Sequence, residues 1–412
     1  MTDSSTKPRS ADREDGAASF CSHRTILLSL GLVLLTLFVR KTDAFLNPQF
    51  WAEDSIVFFY QARYDGLSAL FDPYSGYLHL LPRLIAAASS GFPASFAPAV
   101  YLFASVVFTL AAALAIFSPR LDLPCRPLLA LALVLVPHNG EVFLNITNLQ
   151  WVLAPGLLLL LLARDPANLR QWAFDATALT LLGLTGPFIM LWLPLFLLRA
   201  KVRRSRASVL LAALATIVAL GQVHAYLQDH PPVQSGAVLV EQLFRLQGTR
   251  FWGPMLMPGQ WALQLGSWAG SLLAASVTFG VVWLVISKLR LRTERLFLLA
   301  AAGLIISSTL YKFHGNLGIL NATANGDRYF YIPRVIILWL LVMELAGDGW
   351  RRWFGIGFLA LSALSSATAF RARPMTDYDW PAWAARIDAD ENITVPVNPP
   401  GWSVHFPPRR SP

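Results

Sequence analysis

The chain has 412 residues and a formal net charge of +9, yet only 14% of it is charged and 55% is hydrophobic. Soluble domains carry about 25% charged residues, so this composition, with a mean hydropathy of +0.50, excludes an ordinary soluble fold and points to a solvent that is mostly lipid. The basic residues sit in short gaps between apolar runs, as in RAKVRRSR (199–206) and KLRLRTER (288–295). That is the pattern of cytoplasmic membrane loops and not of a nucleic-acid surface.

In chain order, residues 1–24 are polar and mixed in charge, and read as a disordered cytoplasmic tail. Residues 25–39 form the first apolar run, with Arg40 and Lys41 able to snorkel at its exit. A positively charged start before an apolar core also fits a signal peptide. No convincing small-x-small cleavage site follows the apolar core before Asp43, which favours an uncleaved anchor. Residues 43–93 are too long for a hairpin and rich in Trp, Tyr and Phe, which suits an interfacial position. Within them 78–90 is predicted as a short helix along the membrane surface. Spans follow at 94–117, 127–137, 149–163, 172–185, 188–198, 207–226, 266–287, 296–311, 332–346 and 354–370. The shortest are marginal for crossing, and the total is about eleven. Cys21 and Cys125 are the only cysteines, and neither a disulfide nor a cysteine metal site is expected.

Charge tests this topology. With the N-terminus inside, the inside gaps are 118–126, 164–171, 199–206, 288–295 and 347–353, and each holds at least two Lys or Arg. The opposite short gaps, 138–148 and 186–187, hold none. A single helix over 172–198 would put basic gaps on opposite sides, so a break at Gly186–Pro187 is predicted. The loops 40–93, 227–265 and 312–331, and the Pro- and Trp-rich tail 371–412, then face outside, the tail as a small cap. The reading is all-α: a polytopic transmembrane helical domain over 25–370 with its C-terminus outside.

Candidate chemistry gathers on that outer side. Glu53 and Asp54 stand together in FWAEDSIVFF. An interfacial carboxylate serves as a general base or binds a hard divalent cation; the plainer role is a loop acid partnering Arg63 or Arg83. His79 and Arg83, in GYLHLLPRL, would share a helix face beside an anionic substrate, or anchor at the interface. The gap HNGEVFLNITNLQW offers His138, Asn139, Glu141, Asn145, Asn148 and Gln150 for a hydroxyl-rich ligand, or for ordinary helix capping. Lys312, His314 and Arg328 form a possible cationic seat for phosphate, with Tyr329 and Tyr331 to pack on a sugar or isoprenoid. The alternative for these is an aromatic belt with snorkelling cations. Gln242, Arg245, Arg250 and Trp252 widen the same cleft or serve packing. Three N-x-T triplets, at Asn145, Asn321 and Asn392, match a weak glycosylation pattern. No P-loop, dinucleotide glycine fingerprint, HExxH or GxSxG is present, and the spans lack the row of buried acids of a proton-coupled carrier.

One span, a long outer loop opening on an acidic pair, a short interfacial helix, many further spans and a late outer Arg/Tyr motif together resemble the GT-C glycosyltransferases. The bacterial members that use lipid-phosphate sugars are the nearest in pattern. WAEDSIVFF and GYLHLLPRL carry most of the likeness, over much of 25–370. The resemblance implies a polyprenyl-phosphate-linked sugar donor and transfer at the periplasmic or extracellular face of the bacterial inner membrane. The acceptor is a cell-envelope glycan, lipid or protein. Glu53 or Asp54 would be the base or a metal-adjacent acid, and Arg328 with Lys312 would hold the donor phosphate. Some members need a divalent cation; without an evident second acid cluster, no obligatory metal or other cofactor is expected. A transporter or flippase of a lipid-linked or amphipathic solute is the alternative. It would need a polar path through the midplane, whereas an enzyme would gather its polar groups in one outward cavity around Glu53.

Overall fold

The computed structural model describes residues 21–229, 240–287, 291–321, 326–371 and 374–409. The tail expected at 1–24 lies outside these residues except for 21–24. So do the first residues of the basic gap 288–295 and parts of the loops 227–265 and 312–331.

The described chain is mostly helical. Five helices in it are long and apolar enough to cross a membrane: His23–Arg40, Ala94–Ala115, Arg206–Gln228, Ser267–Ile286 and Arg292–Lys312. The other apolar runs read from the sequence also lie on helices: Arg126–Leu135, Leu149–Leu162, Leu169–Gly183, Phe188–Arg203, Arg328–Glu344 and Trp350–Thr368.

Burial sorts these helices into a centre and a periphery. Arg328–Glu344 is buried continuously from Phe330 to Glu344, and Leu149–Leu162 at every position but Gly156. A helix apolar all round needs cover on every side, and these two have it. They tolerate Pro333 and Pro155 in their interiors because neighbouring helices enclose the freed backbone groups. The peripheral helices do the opposite. On His23–Arg40 the side chains of Leu27, Leu28, Leu32 and Leu35 are all more than half exposed, a surface suited to lipid and not to water.

The exit of the first helix differs from expectation. Arg40 does not snorkel. It is buried, and its guanidinium donates to the carbonyls of Val134 (2.9 Å), Val136 (3.2 Å) and His138. Those carbonyls lie where the Arg126–Leu135 helix stops at Val136–Pro137. A helix end leaves carbonyls without partners, and a cation there is favoured by the dipole. Lys41 is buried beside it, over the Trp51 ring.

Two glycines are required by geometry. Gly186, at φ +98°, breaks the chain between Leu169–Gly183 and Phe188–Arg203, as predicted, and a Cβ there would meet the Gln150 side chain at 2.2 Å. Gly248 lets the π-helical turn Gln247–Trp252 press on Ser267–Ile286; a Cβ would stand 1.9 Å from the Gly270 carbonyl.

The tail adds the one sheet among the described residues, so the fold is not purely helical. After the helix Trp380–Asp388, strands Ile393–Val397 and Trp402–Phe406 pair antiparallel with Val395 opposite Val404. Their alternating buried residues face the first long loop: Phe406 meets Phe59 and Tyr60. Trp380 packs edge-on against Phe50 and donates to the Ala94 carbonyl (3.0 Å). Arg63 bonds Asp390 (3.0 Å) and Asp388 (3.4 Å), and so is not the partner of the Glu53–Asp54 pair. The tail is thus a cap docked on residues 50–64 and 94.

Candidate functional site

Glu53 and Asp54 are adjacent in sequence and opposite in circumstance. Asp54 opens the π-helical stretch Asp54–Phe59 and is buried. Its Oδ1 accepts from the Ile146 amide (3.1 Å), the Thr147 amide (2.9 Å) and the Thr147 hydroxyl (2.7 Å), and its Oδ2 from the Trp51 amide (3.3 Å). Burial pushes its carboxyl up to about 7, against the pull of the Thr147 bonds. Asp54 therefore fastens the first loop to the 138–148 loop. Glu53 is half-buried, and its Oε1 accepts from the Tyr74 hydroxyl (3.2 Å). No ion pair holds it among the described residues. It is the acid of the pair that remains open to a reactant.

Tyr74, the partner of Glu53, belongs to a turn whose other tyrosine lines a groove together with Lys312 and Tyr329. Tyr74 and Tyr77 close a tight turn, with Tyr74 N to Tyr77 O at 3.0 Å and Tyr77 N to Tyr74 O at 3.3 Å. The Tyr77 hydroxyl receives Gln150 Nε2 at 3.5 Å. Burial raises the Tyr77 phenol, while the charges of Lys312 and Arg328 beside it pull it back. Lys312 donates to the Tyr329 hydroxyl (3.2 Å), and Arg328 lies over the Tyr329 ring and pairs with Glu141. A groove of about 280 Å³ starts here, polar at Ser75, Tyr77 and Lys312 and apolar along Trp151, Phe188 and Leu191. Its polar mouth and greasy floor fit a ligand with an anionic head and a hydrocarbon tail.

The other residues singled out from the sequence fall into place as follows. His79 is buried at the start of Leu80–Ser89, near Tyr74 O (3.3 Å) and against the Tyr77 ring. Burial, with Arg83 adding, pulls it down to about 3, so it stands neutral. Arg83 donates to Gln61 (2.9 Å) and leaves Nε and Nη2 without hydrogen-bond partners. Asn148 and Asn145 donate to the Glu141 carbonyl (3.0 and 2.9 Å). They brace their own buried loop, whose backbone groups need partners, and are not presented to a ligand. Among the described residues His314 bonds and stacks with Tyr311, and it is not among those lining the groove. Tyr331 is fully buried and donates to the Leu133 carbonyl (2.9 Å), so it packs the core and not a sugar. His138 touches Tyr331 and belongs to a separate cluster with Asp327, Arg250 and Arg334. Gln242 and Arg245 are exposed, and Trp252 donates to Thr278 (2.9 Å).

Tyr74, Tyr77 and Asp327 carry this geometry and were not singled out by the sequence. The two tyrosines flank Ser75–Gly76, a turn signal whose i and i+3 side chains are thrown together. Asp327 stood unremarked in NGDRYFYIPR. Comparison with protein-family models, with curated proteins and with solved structures finds no match.

Proposed function

We propose that the chain is an integral-membrane glycosyltransferase of the GT-C type, moving a sugar from a polyprenyl-phosphate donor to a cell-envelope acceptor. The reading includes about eleven crossings, a cytoplasmic N-terminus, and an active face on the outside of a bacterial inner membrane. The observation that carries it is Glu53, an acid without a cation partner among the described residues, joined through the Tyr74–Tyr77 turn to a groove lined also by Lys312.

The chemistry follows from that arrangement. The isoprenoid lies along Trp151, Phe188 and Leu191, and the donor phosphate meets Lys312 and the open side of Arg328. Glu53 takes the proton of the acceptor hydroxyl. The acceptor oxygen bonds the anomeric carbon as the bond from that carbon to the phosphate oxygen breaks, and the polyprenyl phosphate keeps that electron pair. Lys312 and Arg328 stabilise the charge that develops on it. Asp54 contributes by fixing the loop that carries Glu141, and hence Arg328.

Mass spectrometry of lipids and envelope glycans from a deletion strain tests the reading. One sugar-bearing product should disappear and return with the wild-type gene but not with Glu53→Gln. Identical profiles with and without the gene, or full restoration by Glu53→Gln, would overturn it.

A further inference from the structure

Asp327 and Arg328 are neighbours that turn to different partners. Arg328 goes to Glu141 at the groove described above. Asp327 faces a second cavity, of about 320 Å³, lined by His138, Thr249, Arg250, Gln260 and Arg334 among others. Among the described residues of that lining Asp327 is the one carboxylate, beside two guanidiniums. It bonds Arg334 at 3.1 Å and lies 3.7 Å from both Arg250 and His138. Arg334 is well occupied, donating also to the carbonyls of Pro137 (2.7 Å) and Arg250. Arg250 is not. It is 5% exposed, its Nε and Nη2 have no hydrogen-bond partner, and its closest carboxylate oxygen is that of Asp327 at 3.7 Å.

Buried guanidinium donors without acceptors are costly. The histidine at the same wall has a similar deficit. His138 Nδ1 accepts from the Gly140 amide (3.0 Å), so in the neutral ring the proton is on Nε2, and that atom too lacks a hydrogen-bond partner. One wall of the cavity thus presents a guanidinium fork and an imidazole N–H, with an excess of positive charge. A tetrahedral oxyanion with several acceptor oxygens satisfies all of these donors, and the fork matches phosphate geometry.

We propose that this cavity is a phosphate-binding site, separate from the Lys312 groove, and that it seats the phosphate of a small head group on Arg250 and His138. The site stands on its own lining and does not depend on the transferase reading. The phosphate comes either from a lipid head group or from a water-soluble phosphate ester, and the cavity is large enough for either head.

The test uses the full chain purified in phosphatidylcholine nanodiscs. Glycerol 1-phosphate is titrated by calorimetry, and phosphatidic acid incorporated in the disc is followed by native mass spectrometry. Saturable binding of at least one probe is expected. The first alone marks a soluble ester as the source, the second alone a lipid. Arg250→Gln should weaken that binding at least tenfold. Gln260→Glu, at an exposed position of the rim, should do the same by repulsion without touching the buried cluster, which guards against a folding defect in the first variant. Lys312→Gln should leave the component of that binding that depends on Arg250 within twofold. Binding of neither probe would overturn the proposal. So would wild-type binding in both Arg250→Gln and Gln260→Glu, or a loss that follows Lys312→Gln instead.

Discussion

The Leu149–Leu162 helix, about 21 Å long at 1.5 Å per residue, connects two polar regions that handle charge differently. Where it finishes, carboxylates are taken up by cations. Asp165 accepts from Arg199 (2.9 Å), Arg203 (3.3 Å), Ser208 (2.9 Å) and Ser205. Asp175 receives both arms of Arg120 (2.7 and 2.6 Å), and Glu344, at the far end of its own helix, pairs with Arg295 and lies 3.8 Å from Arg351. Where the helix begins, Glu141 and Asp327 are paired with arginines in the same way, but among the described residues Glu53 has only a tyrosine; guanidinium nitrogens without hydrogen-bond partners occur at both ends, on Arg83 and Arg250 here and on Arg199 and Arg295 there. Matched ions fix helix ends to one another. An acid with no cation beside it is the one difference between the ends, and function is the usual reason for such local inconsistency. On the proposed function, that difference assigns chemistry to the end that holds Glu53 and structure to the other, and substitutions at both ends can break that assignment.

The largest effect is expected at the reactive end. Glu53→Gln should lower transfer by about 10²–10⁴-fold, the range for losing a general base, with the melting temperature unchanged. A parallel fall in stability would make Glu53 structural and erase the contrast. At the opposite end Glu344→Gln should do the reverse. Removing one partner of a buried pair costs about 3–5 kcal/mol, so thermal unfolding should drop sharply, and any protein that still folds should keep its specific activity. Asp54→Ala comes next. It strands two amides and a hydroxyl that now share Oδ1, and each unsatisfied buried donor costs about 1–3 kcal/mol. Asp54→Asn keeps an acceptor oxygen and should be the milder change. Lys312→Gln should weaken donor use about tenfold, roughly 1.4 kcal/mol, read as a rise in apparent donor KM with acceptor KM unchanged; equal shifts in both would remove Lys312 from the phosphate seat.

Much of the fold was legible in the sequence because apolar runs and their basic punctuation are long-range, additive signals. Even the break at Gly186–Pro187 followed from charge parity. The candidate site was legible only in outline. The outer loops could be grouped on one side, but periodicity does not say which of two adjacent acids turns inward, and Glu53 and Asp54 separate only once Ile146 and Thr147 arrive from another loop. Tyr331 and Tyr329 show the same limit: two residues apart on one helix, one is buried against Leu133 and the other meets Lys312. Arg40 departs from the snorkelling position for a related reason. Its partners are carbonyls at the end of a helix about 95 residues away, and no local pattern announces them.

The last test reads Asp54 by pH. Its folded-state pKa, raised by burial from 3.8 to about 7, means that the folded protein holds this proton more tightly than the unfolded chain. The stabilisation is therefore fully present below about pH 4, is lost as pH rises through the window from about 4 to about 7, and changes no further above it. Each pH unit inside the window shifts stability by at most about 1.4 kcal/mol. Asn carries no titrating proton, so Asp54→Asn lacks this dependence while sharing the rest of the protein's. Melting temperatures of wild type and Asp54→Asn in the same nanodiscs at pH 5, 6, 7 and 8 give the comparison. The wild type should lose ground to the variant from pH 5 to 7, and the gap should level off by pH 8. A constant gap would mean that the donors from Ile146 and Thr147 hold Asp54 ionised throughout, and the clasp would then be a charged anchor within the half of the molecule assigned to chemistry.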